Sequence, residues 1–474
     1  MQWKQRRLRA LVRGQYRRGV GVACVAALAA AVAVGTSSTA SAGGPSATGA
    51  WAAAAAAACP PSLGCKGQYI TDFVKYIGGK PKSADPKASP ALIGWASNDS
   101  GGTVISIGPE ATAAAQLTVN WINKYADGIG GHPLQLAKCI VLNAEEEGLS
   151  CAQKFLNNPK ISVISYGALS VGAATIDTTI AGKKPIIMGF SLNPSDVTTK
   201  STYILFGAGG FALYPFGSFA QQIMHAKSCA VIYPNEAGQV ENGCSVSLAC
   251  KKAGLAVKLV PFDPTTSDLT GALTASGATA PNTAVAPLVT TPSNCLAAAK
   301  AIAQLKIKPT SVVWYTQCQQ PSIKAQYPGG DYPTYYSGIS QSGDALTGDP
   351  TAVAFKKALT AFGSGANLGD DWYSGMFGQV MTLAQFMNKV GYAHLSPAAM
   401  LAQVKAWKGP LLLGGPIIQC GQYKFAPGSC AAGNFFFRYL GNGKWARVSP
   451  WLGPPAALVK ELVALPKGAS FPSS

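Results

Sequence analysis

Polar side chains follow several short apolar runs in this sequence, and their types suit the binding of a small molecule. One group, Ala96 to Gly102, follows the apolar run Ala91 to Trp95. Others occupy Phe190 to Asp196, Pro234 to Gln239 and Thr290 to Asn294. Hydroxyl, amide and carboxylate groups can hydrogen bond a polar ligand. Because open parallel sheets bind ligands at the loops after their strands, we expect these loops to bind one if the apolar runs are strands of such sheets.

The candidates for catalysis are few. The three histidines, His132, His225 and His394, lie in unrelated contexts, and no Gly-x-Ser-x-Gly elbow occurs. Glu145 to Glu147 resembles paired carboxylates, but three adjacent acids are typical of a solvated turn. Gly207 to Gly210 lacks the lysine of a phosphate loop. No cysteines have the spacing of a zinc ribbon. We therefore expect neither an enzyme nor a cofactor or metal site.

The elements that would position these loops alternate between strand and helix. After the first strand, small and apolar residues recur from Pro109 to Tyr125 with the spacing of one helix face, and Asp127 to Pro133 ends that helix. Further strands are predicted at 134–142, 161–166, 185–188, 203–206, 228–233, 256–261, 284–289 and 311–315, with helices between them. This alternation predicts an α/β fold of two lobes, each with a parallel sheet flanked by helices.

The tail of the chain has a different pattern. Helices are predicted at 349–362, 371–390 and 397–407, and an extended piece at 332–340. A hairpin is predicted for 435–439 and 445–448 across Gly441-Asn442-Gly443. Because these helices and the extended piece are too few for a third domain, we expect them to return and cover the first lobe.

The N-terminus has the order of a secretory signal peptide. Met1 to Gly19 carries seven basic residues and no acid, Val20 to Gly35 is apolar but too short for a lasting membrane span, and Ala40-Ser41-Ala42 offers a cleavage site. We predict cleavage near Ala42 and a secreted or extracytoplasmic protein, with Cys24 an ordinary signal residue. The remaining 31 basic and 20 acidic residues are scattered, so we expect no nucleic-acid partner.

The cysteines predict disulfide bonds, as is usual in exported chains. Of 12 cysteines, 11 remain after the signal peptide. The close pairs are Cys59–Cys65, Cys139–Cys151, Cys295–Cys318 and Cys420–Cys430. Among Cys229, Cys244 and Cys250 we favour Cys229–Cys250, because the start of a strand and the end of the following helix lie at one edge of the sheet. Cys244 would then be a free thiol.

Five short segments in order carry a family resemblance. They are Ile107 to Glu110, Trp121 to Asn123, Gly128 to Pro133, Tyr233 to Asn235 with Gly238, and Thr266 to Leu269. From about Leu92 to Val448 the chain resembles the type I periplasmic, or extracytoplasmic, solute-binding proteins, the group that contains the branched-chain amino-acid-binding proteins of ABC importers.

The resemblance implies two Rossmann-like lobes joined by a three-crossover hinge that close on a ligand. The expected divisions are a signal peptide at 1–42, a leader and linker at 43–90, lobe 1 at 91–211 plus 332–433, lobe 2 at 212–331 plus 434–452, and a tail at 453–474. The implied partners are a small-molecule ligand and a membrane permease, with the protein itself a monomer.

The resemblance also implies the residues that line the gap. The expected ligand contacts are Trp95, Ser97, Asn98, Leu169, Ser170, Ser191, Asn193, Asn235, Glu236, Gln239, Thr290, Thr291, Ser293 and Phe377. A helix that begins after Ser170 would add free N–H groups for a carboxylate. Each Ser, Thr or Asn could instead cap the helix that it precedes.

The sequence departs from the amino-acid-binding proteins at one informative place. Thr290 to Ser293 stands where those proteins carry an acid for the ligand's ammonium group, and Glu236 could replace that acid. The expected ligand is an amino acid or another small carboxylate, and the missing acid leaves a neutral polar solute or an aromatic acid open as alternatives. A ligand sensor of the same fold stays open as an alternative function, and a secreted α/β hydrolase is a further one.

Overall fold

The computed structural model describes most of the chain from Ile70 onward. The described residues are 70–99, 108–142, 144–191, 193–206, 210–236, 239–289, 291–314, 318, 321–327, 333–338, 350–362, 371–410, 412, 417–421, 426–431, 433–441 and 444–464. The predicted signal peptide and the pair Cys59–Cys65 lie outside them. None of the helices in the described part combines the length and the apolar character that a membrane span needs.

The first lobe is built on a five-stranded parallel sheet with the order β2-β1-β3-β4-β5. Its strands are β1 (Ala91–Ser97), β2 (Leu134–Ile140), β3 (Ile161–Tyr166), β4 (Ile186–Met188) and β5 (Thr202–Ile204). Every residue of β3 is buried, as expected for a central parallel strand that is covered on both faces. The carboxyl ends of these strands therefore lie at one edge, where the polar loops begin.

Helix α1 (Phe73–Ile77) precedes this sheet, and further helices of the first lobe connect its strands. They are α2 (Gly108–Tyr125), α3 (Glu145–Asn157), α4 (Ala173–Ile180) and α5 (Pro194–Thr198). Helix α2 buries small residues such as Ala111, Ala114 and Ala115, which let it pack closely on its neighbours.

The second lobe repeats this alternation. Its elements are α6 (Gly210–Leu213), α7 (Pro215–Gln222), β6 (Ser228–Pro234), α8 (Gln239–Lys252), β7 (Ala256–Phe262), α9 (Thr270–Ala275), β8 (Thr283–Pro287), α10 (Pro292–Gln304), a 3₁₀ turn (Pro309–Ser311), β9 (Val313–Trp314), α11 (Pro321–Lys324) and β10 (Tyr335–Gly338). Strands β7, β6 and β8 form a parallel sheet in that order. A parallel bridge from Val285 to Val312 connects this sheet to β9.

The tail contributes to both lobes. Its elements are α12 (Pro350–Thr360), α13 (Asp371–Val390), a 3₁₀ turn (Tyr392–His394), α14 (Pro397–Ala406), β11 (Lys408–Pro410), β12 (Ile417–Gln419), β13 (Phe435–Gly441), β14 (Lys444–Arg447) and α15 (Ala456–Ala464). Helices α12, α13 and α14 bury their apolar side chains in the core of the first lobe. Strands β13 and β14 pair antiparallel, which confirms the predicted hairpin.

The chain passes between the lobes three times. It does so after β5, between β10 and α12, and between Cys430 and Asn434. Before the third crossing, the N–H of Ile204 donates to the Gly428 carbonyl at 2.8 Å, and its carbonyl accepts from the Cys430 N–H at 2.9 Å. After it, the backbones of Asn434 and Leu452 form two hydrogen bonds with each other. The predicted fold class, two lobes with parallel sheets and three crossovers, is confirmed.

Two segments lie elsewhere than expected. Tyr335–Gly338, which we assigned to lobe 1, pairs with β9 and β13 in the second sheet. The segment before Pro90, predicted to be a linker, includes helix α1, whose Phe73 and Ile77 are buried in the core of the first lobe. The remaining domain boundaries stay a prediction.

Four of the predicted disulfide bonds are confirmed. Cys139–Cys151, Cys229–Cys250, Cys295–Cys318 and Cys420–Cys430 are bonded. Cys244 is also disulfide-bonded, so the prediction of a free thiol there is wrong. Spacing identified the local pairs, but it could not assign an odd cysteine to a distant partner.

Candidate functional site

Asn98 joins three loops at the carboxyl edge of the first sheet. It follows β1, and its side chain is 3% exposed. Its Nδ2 donates to the Val141 carbonyl at 3.0 Å and to the Val171 carbonyl at 3.3 Å. Its Oδ1 accepts from the backbone N–H of Ser170 at 2.7 Å. Because both ends of the amide are already bonded, Asn98 holds the loops in place and is not itself free to bind a ligand.

The loop after β4 is fastened to the loop after β3. Asn193 precedes helix α5, and its Nδ2 donates to the Leu169 carbonyl at 3.1 Å. The Ser191 hydroxyl donates to the Asp196 carboxylate at 2.9 Å and to the Asn193 carbonyl at 3.0 Å. The structure thus brings together five predicted site residues, and it orders them through hydrogen bonds between loops: Asn98, Leu169, Ser170, Ser191 and Asn193.

Gln379, on helix α13, supports these loops from within the lobe. Its Oε1 accepts from the backbone N–H of Gly189 at 2.6 Å, and its Nε2 donates to the Ser165 hydroxyl and the Tyr166 carbonyl at 2.7 and 2.8 Å. A Cβ atom at residue 189 would lie 2.6 Å from Gln379 Oε1, so glycine is needed for this approach. Gln379 was not among the predicted site residues, although a polar residue among the large apolar side chains of α13 was the available signal.

Among the first-lobe residues, Ser170 has the clearest capacity to bind a ligand. Its side chain is partly buried, and its Oγ has no hydrogen-bond partner within the described residues. By contrast, Ser97 is completely buried, with its hydroxyl 3.4 Å from two backbone carbonyls, and Leu169 is 2% exposed. An unpaired buried hydroxyl costs free energy, and a polar ligand would relieve that cost.

The N-terminus of α4 is already occupied by a carboxylate. Glu145 Oε1 accepts from the Gly172 N–H at 2.9 Å, and Oε2 accepts from the Thr175 hydroxyl at 2.8 Å. Glu147 accepts from the Leu142 and Ala144 N–H groups. The expectation that α4 offers a free N-terminus to a ligand is therefore wrong at Gly172, and two of the three adjacent acids are structural rather than merely solvated.

The second lobe presents Asn235 and Glu236 after β6. Asn235 is exposed, and its backbone N–H donates to Phe262. Glu236 is partly buried, and this burial raises the pKa of its carboxyl group to about 7. Gln239 is 7% exposed and accepts from Asn242 at 3.1 Å. A cation bound next to Glu236 would stabilise its charged form.

The loop after β8 is used mainly to cap α10. The Thr291 hydroxyl accepts from the Asn294 N–H at 3.1 Å and lies 2.8 Å from the Ser293 hydroxyl. Ser293 is exposed, and Thr290 lies outside the described residues. Thr291 has the geometry of an N-cap, which is the alternative role that the sequence left open.

The two predicted aromatic contacts belong to the core. Trp95 and Phe377 are both completely buried. The Trp95 Nε1 donates to the Thr112 hydroxyl at 2.8 Å. The Phe377 ring packs 5.0 Å from the rings of Phe73 and Phe355. The completely buried Phe377 packs in the core, away from any ligand, whereas the Trp95 ring lies beside Gly167 in the loop after β3, so the ligand contact of Trp95 stays a prediction.

A buried acidic pair behind the loops was also missed. Asp177 on α4 and Asp196 on α5 are 0% and 1% exposed. The Tyr166 hydroxyl donates to Asp177 at 2.9 Å. Burial raises the pKa of both carboxyl groups. Only Asp196 could have been found from the sequence, because it stands three residues after Asn193, which is the spacing of a capping box.

These groups can hold and orient a ligand by hydrogen bonds and charge. The described residues contain no group of three or more His, Cys, Asp or Glu side chains that could hold a metal ion.

Comparison with known proteins gives a consistent result. Residues 90–426 match the model of the periplasmic binding protein family. The fold is similar to that of a fatty acid ABC transporter substrate-binding protein from Thermomonospora curvata, with 14% identity and a TM-score of 0.63 over 83% of this chain and 99% of that chain. The fold is also similar to that of an ABC transporter substrate-binding protein from Sphaerobacter thermophilus, with 15% identity and a TM-score of 0.65 over 77% of this chain and 99% of that chain.

A third similar structure is that of the leucine-binding protein LivK from Thermotoga maritima, with 14% identity and a TM-score of 0.60 over 77% of this chain and 99% of that chain. No match is found among curated protein sequences. At these identities the solved structures establish a shared fold.

Proposed function

This chain belongs to the periplasmic binding protein family, and we propose that it is an extracytoplasmic solute-binding protein that holds a small polar ligand between its lobes and delivers it to the permease of an ABC-type importer. The structurally similar proteins from Thermomonospora curvata and Sphaerobacter thermophilus, described as ABC transporter substrate-binding proteins, support the transport part of the proposal. We expect the protein to act as a monomer.

The observation that carries the proposal is the ordered loop edge of the first lobe. Asn98 and Asn193 fix the loops around Ser170, a partly buried residue whose hydroxyl is buried and unpaired in the described part of the chain. Ligand sites are usually preformed, with a few well-placed polar groups, and they favour the edge at which the strands of an α/β sheet end.

The proposed ligand is an amino acid or another small carboxylate. The Ser170 hydroxyl would donate to the ligand's carboxylate, and Glu236 of the second lobe would accept from an ammonium group if one is present. Contacts from both lobes make ligand binding favour the closed arrangement of the hinge, because only that arrangement forms both sets. No covalent step is part of this function.

Thermal-shift screening tests the proposal. We expect one compound among amino acids, short-chain carboxylates and aromatic acids to raise the melting temperature and to be recovered unchanged after incubation. With that compound, Ser170→Ala should weaken binding by about tenfold, the loss expected for a hydrogen bond to a charged group.

Ser150→Ala is the matched control. Ser150 is an exposed serine on α3, so its replacement should leave affinity unchanged. Stabilisation by none of these compounds would contradict the proposed ligand class. Consumption of the compound would support an enzyme instead.

A further inference from the structure

Two aspartates lie together behind the loop that carries Ser191 and Asn193. Asp177 and Asp196 are both buried, on helices that pack against each other. Their carboxyl groups lie close enough to interact with each other. Two ionised carboxylates offer acceptors only, so a hydrogen bond between them requires a proton on one.

The other contacts of the pair leave one oxygen of each for this bond. Asp177 Oδ1 accepts from the Tyr166 hydroxyl at 2.9 Å. Asp196 Oδ2 accepts from the Ser191 hydroxyl at 2.9 Å and from the Asn193 N–H at 3.3 Å. Asp177 Oδ2 and Asp196 Oδ1 are buried, and neither has a hydrogen-bond partner within the described residues. A proton shared by these two oxygens would satisfy both.

No cation compensates the pair. In the described part of the chain, no lysine, arginine or histidine nitrogen lies within 4.0 Å of either carboxyl group. Tyr166 of β3 and the Ser195 hydroxyl face Asp177, and both are neutral groups. Two buried negative charges without a counter-ion are strongly disfavoured, and one retained proton removes their repulsion.

Several charged groups of the neighbouring elements bond elsewhere. Glu145 of α3 binds the first turn of α4. Lys184, after α4, donates to the Phe155 and Asn158 carbonyls. Lys183 donates to the Thr179 carbonyl. The titratable side chain of Tyr203, on β5, lies in the apolar core that contains Ile187 and Leu205.

We propose that Asp177 and Asp196 share one proton and that the protonated pair positions Ser191 and Asn193 at the ligand site. The shared proton does not depend on the proposed function. Only the statement that Ser191 and Asn193 belong to a ligand site rests on it. Burial raises the pKa of Asp196 well above its usual range, and the Asp177 charge adds to that effect. Both aspartates are therefore positioning residues, which act through Ser191 and Asn193.

The sign of the pH dependence follows from the retained proton. The unfolded chain releases it near the ordinary aspartate pKa of about 3.9, whereas the folded protein keeps it to a higher pH. Stability is therefore lost as pH rises through this window, and the unfolding equilibrium constant rises about tenfold per pH unit. Asp177→Asn supplies a permanent N–H donor to Asp196, so this contribution disappears.

Denaturant unfolding of the full-length protein without added ligand tests the shared proton. We expect the unfolding constant of the wild type, relative to that of Asp177→Asn, to rise with pH above the ordinary aspartate pKa of about 3.9, by up to about tenfold per unit. Asp85→Asn, an exposed aspartate, is the matched control and should give a constant ratio. A constant ratio for Asp177→Asn would overturn the proposal.

Two further measurements keep the test decisive if Asp177→Asn does not fold. At about pH 6, above the ordinary aspartate pKa, the infrared difference spectrum of the wild type minus Asp196→Asn should contain the C=O stretch of a buried protonated carboxyl group, because the contribution of Glu236 is common to both proteins and cancels. Its absence from the difference spectrum would overturn the shared proton.

Amide hydrogen exchange tests the positioning. The Asn193 N–H should exchange at least about tenfold faster in Asp196→Ala than in the wild type, because it loses its acceptor, but not in Asp196→Asn. Equal protection in Asp196→Ala would overturn the positioning role. None of these readouts involves a ligand, so their failure is distinct from failure of the proposed function.

Discussion

Replacing Asn98 by alanine should destabilise the first lobe and thereby disorganise its ligand-binding edge. The substitution removes two hydrogen bonds donated by Nδ2, at 3.0 and 3.3 Å, and one accepted by Oδ1 at 2.7 Å. The groups that lose their partner are the carbonyls of Val141 and Val171 and the N–H of Ser170. Since the Asn98 side chain is 3% exposed, water cannot easily take its place.

The expected loss is about 3 kcal/mol of unfolding free energy. Each hydrogen bond contributes about 1 kcal/mol net, and each buried group left unpaired costs about 1–3 kcal/mol. Adding the contributions of the three groups gives a range of losses. The expected loss lies near the lower end of that range, because the contact with Val171 is weaker and the N–H of Ser170 can be partly hydrated. Asn98→Asp should be at least as damaging, because a carboxylate would face two carbonyl oxygens.

Urea unfolding monitored by circular dichroism measures this loss. Asn120→Ala is the control, since Asn120 is an exposed asparagine that accepts one hydrogen bond from Gln116, and it should change stability by less than about 0.5 kcal/mol. A loss below about 1 kcal/mol for Asn98→Ala, together with lost ligand affinity, would refute the reasoning. Asn98 would then be a direct ligand contact.

Three further substitutions test other parts of the account. Gln379→Leu should cost about 3 kcal/mol in urea unfolding, because it leaves the Gly189 N–H buried and unpaired; an unchanged midpoint would contradict this. Phe377→Ala should cost about 3–5 kcal/mol, with affinity within about twofold for any compound found by screening; lost affinity at preserved stability would restore its predicted cleft role. Glu236→Gln should gain stability relative to the wild type as pH rises from about 4.5 to about 7, because burial raises the Glu236 pKa to about 7 and the folded wild type retains a proton that the unfolded chain releases; a difference in melting temperature that is independent of pH would contradict it.

The alternation of apolar runs and helical spacing was sufficient to predict the fold. The predicted strand at 185–188 is observed at Ile186–Met188, and the predicted helix at 371–390 is observed with the same bounds. Such elements are defined by local periodicity, which burial on one or two faces imposes. The crossovers followed from the family resemblance, because nothing local in a hinge segment indicates which sheet it joins.

Pairing between distant segments was not predictable. Tyr335–Gly338 is a short strand whose partners, β9 and β13, lie on either side of it in the sequence, and apolar pattern alone could not distinguish the two sheets. Cys244 posed the same problem, because an odd cysteine can be assigned only when its distant partner is known.

The candidate site was predictable in position but not in the role of each residue. The loops around Asn98, Ser170 and Asn193 do come together, since parallel strands end at one edge. An asparagine that fixes two loops and one that contacts a ligand have the same residue type, and a core aromatic such as Phe377 cannot be distinguished from one that lines a cleft. Burial and bonding partners decide between them, and these are properties of the folded chain.

Amide hydrogen exchange with and without a mixture of amino acids, short-chain carboxylates and aromatic acids tests the central claim most directly. A ligand held between two lobes should slow exchange both in the first lobe at residues 169–172 and in the second at residues 235–236, with the rest of the described chain little changed. Protection of one lobe alone, or of neither loop, would contradict binding between the lobes.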